Sequence, residues 1–596
     1  MSAGANEVQG ARAVARPHEE RIFEGLDAQQ ARAVLATRGP VVILAGAGSG
    51  KTTTITRRIA HQIATGEFEP KSILAVTFTT KAAAELEQRL QRLGAGGVPT
   101  RTFHAAALSQ LTVLGGMQID LLEAKTKLLW RIRQELPKQY REQHLGELAG
   151  EIQRAKSRRV RPVDYVDHLD RHLPPLPVEL MQRVYAEYER RKQAARKLDF
   201  EDLLELAIQM YENDPHCRER FQARYQAITV DEYQDVNLLQ QTLLDRWLGE
   251  REEVCVVGDD YQAIFGFTGA SPRYLIDMRN RYAHGTIVKL ETNYRSTPQV
   301  LAWANRLASK LGGIPKQLVA AGGPGPEPRL TKYANESDEI DGIVRLIKQL
   351  VREGTGPGEI AILYRINARS TVFEHSLHRE QVPFQVADGG FLERPAWRSV
   401  RQKLAASKSA ADVTRVVAAI LDDAGYVPDI KEAEVSPQEF TRQLDLAFID
   451  NLARKFGKGG TVADFVIGVE REFASYSKGD TREAVRLTTY HLAKGLEWEA
   501  VFLPALNDGE LPFWRSKESH EIAEERRLFY VGLTRAKRVL ELSTNGIKFP
   551  SRFLEEVQPV VAKTSEGRYR NGGEVVPHTS LKPKKSRHSW SPFKPT

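Results

Sequence analysis

Uninterrupted apolar runs recur early in the chain, at Val41–Leu44, Ile73–Phe78, Ala227–Val230 and Val254–Val257, and between them apolar residues fall at helical spacing. A short run without polar alternation reads as a strand buried on both faces, and strands alternating with helices predict a parallel sheet covered by helices. From about 112 to 200 the strand signal stops. Stretches such as LLEAKTKLLWRIRQEL and VELMQRVYAEYERRKQAARKLDFEDLLELA are charged and helical, which predicts an insertion. A second alternation opens at Thr286–Leu290 and continues through Ile360–Tyr364, Arg486–Thr489, Ala500–Leu503 and Val539–Leu542, with a helical interruption at 391–480.

The expected architecture is therefore α/β, with two parallel-sheet cores, each interrupted by a helical insertion. The first core takes residues 21–111 and 201–285 around the insertion 112–200; the second takes 286–390 and 481–558 around a shorter insertion, 391–480. Residues 1–20 read as a mobile arm and AGGPGPEPR (321–329) as a loop within the second core. Residues 559–596 read as a basic tail, disordered when free, with Lys582, Lys584, Lys585, Arg587 and Lys594 among Pro and Ser. Those charges either neutralise phosphates or belong to an inert terminus.

Composition narrows the class. The 596 residues suffice for several domains, and a 41% hydrophobic content supports ordinary cores. Lys and Arg (85) exceed Asp and Glu (77) for a net charge of +8, which suits a polyanionic partner without requiring one. Cys217 and Cys255 are too few and too far apart for a disulfide framework or a Cys-based zinc site, and they fit a reducing cytoplasm. No apolar run approaches membrane-spanning length, and residues 1–20 lack the apolar centre of a signal peptide. The run Lys156-Ser157-Arg158-Arg159 with Arg161 is either a solvated face or a phosphate-backbone contact.

The chemistry centres on Val41-Val42-Ile43-Leu44-Ala45-Gly46-Ala47-Gly48-Ser49-Gly50-Lys51-Thr52. Set on the pattern G-x-x-x-x-G-K-[ST], Gly50, Lys51 and Thr52 match, while Ala45 stands where the first glycine belongs. Strand, glycine-rich turn and helix in this order aim backbone N–H groups and the positive helix end at phosphates. Lys51 can reach the terminal phosphates and Thr52 can ligate Mg²⁺. A glycine-rich turn that binds nothing is the competing reading. Downstream, Ile228-Thr229-Val230-Asp231-Glu232 puts two carboxylates at a strand's end: Asp231 to bind Mg²⁺, Glu232 to orient and deprotonate water.

With these in place, the sequence resembles the superfamily 1 helicases of the UvrD/PcrA/Rep type from 22 to 556, and looks most like their compact UvrD-like paralogues. The resemblance implies two RecA-like cores with ATP and Mg²⁺ between them, and 3′–5′ movement on single-stranded DNA with unwinding at single/double-strand junctions. It also implies work in DNA repair or replication, with repair or replication proteins as partners. By the same resemblance Gln30, in Leu26-Asp27-Ala28-Gln29-Gln30, reads adenine, and Gly46, Ala47, Gly48, Ser49, Gly50, Lys51, Thr52 and Thr53 line the phosphate loop. Gln262, in Val257-Gly258-Asp259-Asp260-Tyr261-Gln262, senses the γ-phosphate. Tyr294 and Arg295, in Glu291-Thr292-Asn293-Tyr294-Arg295-Ser296, stack on adenine and meet the γ-phosphate. Glu497, after Lys494-Gly495-Leu496, lies near the ribose, and Arg535, in Val531-Gly532-Leu533-Thr534-Arg535-Ala536-Lys537, is the second phosphate arginine. Two arginines on the core opposite Lys51 would act only when the cores close, which would tie closure to hydrolysis. Interdomain salt bridges are the alternative for both.

The single-strand contacts implied by the resemblance are Phe78, Thr79, Thr102, His104, Phe267, Asn367, Arg369, Thr489 and His491, aromatics stacking on bases while polar groups hold phosphates. Phe103 and Trp514 are further aromatic candidates, although any one of these rings can equally belong to a core. The sequence departs from PcrA-like relatives in several places. Gly266-Phe267-Thr268-Gly269 lacks their arginines, and Thr53 replaces an arginine near the base. The insertion 391–480 is short, and the strand-separating hairpin is reduced to Ser543–Pro550, with Asn545-Gly546 as a two-residue turn. These departures keep a protein-displacing translocase with weak unwinding as an alternative, beside a nucleotide-gated binding module without turnover.

Overall fold

In the computed structural model, β1 (Val41–Ala45), β2 (Ile73–Thr77), β3 (Thr100–Thr102), β4 (Ala227–Val230), β5 (Val254–Gly258) and β6 (Thr286–Leu290) form one sheet. Its order is β3-β2-β4-β5-β1-β6, with every neighbouring pair parallel. Residues 20–558 are described, apart from 123, 142, 170–171, 368, 388–389, 408–411, 429–436, 458–459, 479–482 and 547. The arm before residue 20 and the basic tail from 559 lie outside the described residues.

Strands β1, β2, β4 and β5 are buried along their whole length, as unbroken apolar runs require. Alternation within β1 divides it between two layers. Val41, Ile43 and Ala45 pack with Ile55 and Ile59 of the helix Lys51–Ala64, while Val42 and Leu44 face Phe103, Leu203, Leu243 and Trp247.

Thr286–Leu290, expected to open the second core, is instead the edge of the first sheet, running beside β1 from Val41↔Thr286 to Ala45↔Leu290. An apolar pattern identifies a strand but not its sheet; pairing does. Beyond it a ribbon of β7 (Thr292–Asn293) and β8 (Val319–Ala320) precedes the second sheet. That sheet contains β9 (Arg329–Tyr333), β10 (Ile360–Tyr364), β11 (Phe384–Val386), β12 (Val485–Thr489), β13 (Trp498–Leu503) and β14 (Ala536–Asn545), in the all-parallel order β11-β12-β10-β13-β14-β9.

Each core carries a helical segment where the strand signal lapses. In the first, helices Lys125–Gln134, Leu145–Ser157 and Val178–Ala194 enclose their own core around Leu129, Ile152 and Tyr188. Lys156 and Arg159 of the basic run are taken up by acids, while Arg161 stays exposed to solvent. Lys156 is buried against Glu189, Asp199 and Asp202, Arg159 pairs with Glu205, and Arg161 pairs with Asp164. The acids that claim these cations lie up to 46 residues downstream, beyond the reach of a local charge reading.

In the second, helices Pro395–Ala406, Val413–Asp423, Pro437–Phe456 and Val462–Lys478 join the core through Trp397, Phe448 and Phe473. Buried Arg394 fastens them: its guanidinium donates to Asp445 Oδ1 (2.7 Å), to Ser370 Oγ (3.0 Å) and to Glu374. Arg394→Ala would leave two buried carboxylates without their cation. We expect it to destabilise the protein by about 3–5 kcal/mol in denaturant unfolding, and a change below about 1 kcal/mol would show that the network is solvated.

The expected hairpin at Ser543–Pro550 is not formed among the described residues. Ser543, Thr544 and Asn545 extend β14 beside β9, and the chain then returns against the loop after β13. The Asn507 amide donates to Asn545 O (2.8 Å) and Lys548 O (2.9 Å), and Ser551 N donates to Leu506 O (2.8 Å). These bonds absorb the backbone groups that a second hairpin strand would have paired.

Candidate nucleotide cleft and strand-binding track

Parallel strands deliver their carboxyl ends to one edge, so β1, β4 and β5 present the Gly46–Thr52 loop, Asp231-Glu232 and Asp259–Gln262 side by side. Ala45 is simply the last residue of β1, paired with Leu290, and an extended strand position needs no glycine. Left-handed backbone occurs in the loop at Gly48 (φ 65°) and Gly50 (φ 75°), the latter capping the helix Lys51–Ala64. A Cβ on Gly48 would lie 2.6 Å from Asn293 Nδ2. Gly48→Ala should therefore push the loop off Asn293 and weaken ATP binding at least tenfold, about 1.4 kcal/mol, with folding retained. Calorimetric titration tests this, and unchanged affinity would free the loop from the fit described here.

Asn293 holds that loop from the far side of β6. Its Nδ2 donates to Ala47 O (2.7 Å), while its Oδ1 accepts Arg295 N (2.9 Å) and Ser296 N (2.7 Å); Tyr294 N donates to Gly48 O (2.9 Å). Arg295 thus stands between the two cores: Asn293 ties its backbone to the phosphate loop, while the next two residues bond to β14, Ser296 Oγ donating to Ala536 O (2.6 Å) and Thr297 N to Lys537 O (2.9 Å). The Arg295 side chain donates to Glu497 Oε2 (2.5 Å) and Thr534 O (3.0 Å). Glu497 therefore serves as the partner of Arg295 here and also lies 3.7 Å from Lys537.

Glu232, in left-handed backbone (φ 50°), stands 3.9 Å from Lys51 and 3.7 Å from Lys494 and accepts a bond from Gln234. Burial pushes its carboxyl up, but Lys51 and Lys494 outweigh that and bring it to about 2. Asp231, buried beside it, is pushed up to about 7 by burial and by the Glu232 charge. Asp231, just beyond β4, and Thr52, in the first turn after the loop, are the residues that could hold a divalent cation. A buried carboxylate with no cation of its own within ion-pairing distance, among the described residues, fits such a group.

Gln262 spans the cleft: Nε2 donates to Asp259 Oδ2 (2.7 Å), Oε1 accepts Arg535 Nη2 (3.3 Å), and its carbonyl accepts Lys494 Nζ (2.8 Å). Arg535, 1% exposed, bonds to Val531 O, Leu496 O and Thr534 Oγ1 and forms no ion pair among the described residues. Burial, with Arg295 nearby, lowers its pKa to about 9. Gln30 lies beneath the loop, donating to Ser49 O (3.0 Å), and half-exposed Tyr294 donates to Asp27 Oδ2 (2.8 Å), so the two adenine candidates border one opening. Thr53, in the first turn of the same helix, is half-buried.

Among the strand candidates, Phe265 links Phe78 and His104 to Phe267 and His491 beside this cleft. The Thr79 and Thr102 hydroxyls cap helices at the ends of β2 and β3, accepting Ala82 N and Ala105 N (3.1 Å each). Phe78 and His104 share a cavity of about 160 Å³ with Phe265, Glu201 and Thr268. His104, packed edge-on to Phe200, is pushed down to about 4 by burial and Lys125. His491 is pushed down to about 3 by burial, Arg365 and Lys494, and its ring lies 5.8 Å from Phe267, which is 57% exposed. Gly266 N donates to Glu524 Oε1 (3.2 Å) across the cleft. Asn367 is exposed and Thr489 ends β12, its Oγ1 accepting Leu492 N. Arg369 is not a free cation: it pairs with Glu510 (2.9 Å) and with Glu336, both brought to it by the fold. A depression of about 940 Å³ beside Arg329, Glu353 and Glu541 is lined by none of these groups.

The UvrD/REP helicase N-terminal domain matches residues 26–283, and the UvrD-like helicase C-terminal domain matches 288–402 and 469–546. The chain is 38% identical over 584 residues to the ATP-dependent DNA helicase UvrD2 of Mycobacterium tuberculosis (strain ATCC 25618 / H37Rv), covering 90% of this chain and 82% of that one. It is 28% identical to the ATP-dependent DNA helicase PcrA of Leuconostoc citreum, covering 92% and 86%. The chain belongs to the UvrD/REP helicase family.

In this family member, three cleft residues escaped the sequence reading. Lys494 and Asn293 lay inside quoted motifs, but the resemblance assigned roles to Glu497, Tyr294 and Arg295 instead. Gln234, which joins Glu232 to Asp259 N (2.8 Å), carried no chemical signal beyond its place two residues after the acid pair. Among the described residues no helix is long and apolar enough to cross a membrane.

Proposed function

We propose that the protein is an ATP-driven DNA helicase that moves 3′ to 5′ along single-stranded DNA and opens duplex at junctions, in DNA repair or replication maintenance. The observation that carries the nucleotide half is Arg535. A fully buried guanidinium without a carboxylate is costly unless an anion arrives, and this one meets Gln262, which reaches it across the cleft from the end of β5. On this reading the Gly46–Thr52 amides and Lys51 bind the phosphates, Gln30 and Tyr294 enclose adenine, and Glu232 orients water and takes its proton. Arg295 and Arg535 neutralise charge developing on the γ-phosphate. Mg²⁺, held by Thr52 and Asp231, would offset phosphate charge. Phe78, Phe267, His104 and His491 supply rings for bases, and Thr79, Thr102, Asn367 and Thr489 supply polar contacts to the backbone.

A translocase that displaces proteins and unwinds weakly is the second reading, favoured by the closed corner at Asn507 in place of a hairpin. The test compares ATP hydrolysis with and without single-stranded DNA, and displacement of 3′-tailed and 5′-tailed duplexes. Stimulation by DNA with 3′-tail displacement supports the first reading, stimulation without displacement the second, and no stimulation removes both.

A further inference from the structure

Lys316 lies between the helix Pro298–Ala308, which packs with Leu528 and Leu540 of the second core, and β8. It is buried, with its ammonium 2.8 Å from Asp259 Oδ1, paired with Asp260, and 4.2 Å above the Tyr261 ring. The segment carrying it is held at both ends. The Asn305 amide donates to Leu318 O (2.8 Å) and accepts Leu318 N (2.9 Å), while Ile314 N donates to Asp260 Oδ2 (2.8 Å). Asp259 is wholly buried, and its second oxygen is the acceptor that holds the Gln262 amide. A contiguous chain therefore runs from Lys316 through Asp259 and Gln262 to Arg535.

We propose that Lys316 is a positioning residue that acts through Asp259 to keep Gln262 turned toward Arg535, joining the helix packed on the second core to the phosphate side of the first. This rests on the ATP-hydrolysing reading above. A buried carboxylate with a paired cation is a strong, directional acceptor. Without the ammonium, Asp259 and Asp260 face one another unneutralised, and Asp259 loses the geometry that fixes Gln262. Nucleotide binding at the Gly46–Thr52 loop does not draw on this chain, so the loss should fall on turnover.

The experiment is a double-mutant cycle on the full chain with single-stranded DNA present, reading kcat and the Kd for ATP for wild type, Lys316→Met, Gln262→Ala and the double variant. Lys316→Met is expected to lower kcat about tenfold or more with Kd changed less than about twofold. The double variant should then be no slower than Gln262→Ala alone, within about twofold. Multiplying losses, or a Lys316→Met that alters only Kd, would overturn the proposal. Should Lys316→Met fail to fold by circular dichroism, Asp259→Asn takes its place in the same cycle with the same expectations. A wild type that hydrolyses no ATP under any condition would instead remove the underlying reading, and this inference with it.

Discussion

Glu232→Gln is expected to lower kcat for ATP hydrolysis about 10³-fold, within the span a positioned general base contributes, while ATP binding persists. The amide keeps the shape of the carboxylate and can still meet Gln234, but it cannot take a proton from water. Removing a negative group 3.9 Å from Lys51 leaves that lysine more available to phosphate. The variant should thus hold ATP at least as tightly as wild type and remain on single-stranded DNA, whereas Lys51→Ala should lose nucleotide affinity as well as turnover. Paired equilibrium binding and single-turnover hydrolysis separate the cases, and near-normal hydrolysis by Glu232→Gln would remove it as the base.

Arg535→Ala is expected to cost about 10³-fold in kcat, the scale of an arginine that meets charge developing on a transferred phosphoryl group, with Kd for ATP nearly unchanged. Its guanidinium is held by Val531 O, Leu496 O and Gln262 Oε1, so little of it remains to be organised when the phosphate arrives. Arg535→Lys should not rescue, because one ammonium cannot keep those three bonds and face the cleft as well. Arg295→Ala should behave differently. The Arg295 backbone is stitched to the phosphate loop through Asn293, and its side chain reaches Thr534 O, so its loss should disturb both Kd and kcat. A raised KM with normal kcat in Arg535→Ala would make it a ground-state contact.

Much of this was legible in the chain itself because local patterns report local structure. The run Val41–Leu44 followed by Gly, Lys and Thr specifies strand, turn and helix within a dozen residues, and the four early strands appear where the apolar runs place them. What was misread depended on partners distant in sequence. Thr286–Leu290 looks like any strand until Val41–Ala45 pairs with it. Lys156 reads as solvated until Asp199 and Asp202 fold over it, and the sequence around Arg369 gives no sign of the ion pairs that Glu336 and Glu510 make with it. Lys316 gave no signal at all, a single lysine in a loop whose meaning comes from the two aspartates it meets.

The cations around the cleft bear on how nucleotide enters. Lys51 rests near Glu232, Lys494 on Asp235, and Arg295 on Glu497. At these three groups an incoming triphosphate would meet charges that already have anions, so binding there would exchange internal carboxylates for phosphate oxygens; Arg535, with no ion pair among the described residues, is the exception. Added salt competes with the departing carboxylates as well as with the arriving phosphate, so the two effects oppose each other. Nucleotide affinity should consequently vary less with ionic strength than the affinity for DNA, whose phosphates shed condensed counterions with no internal anion to replace.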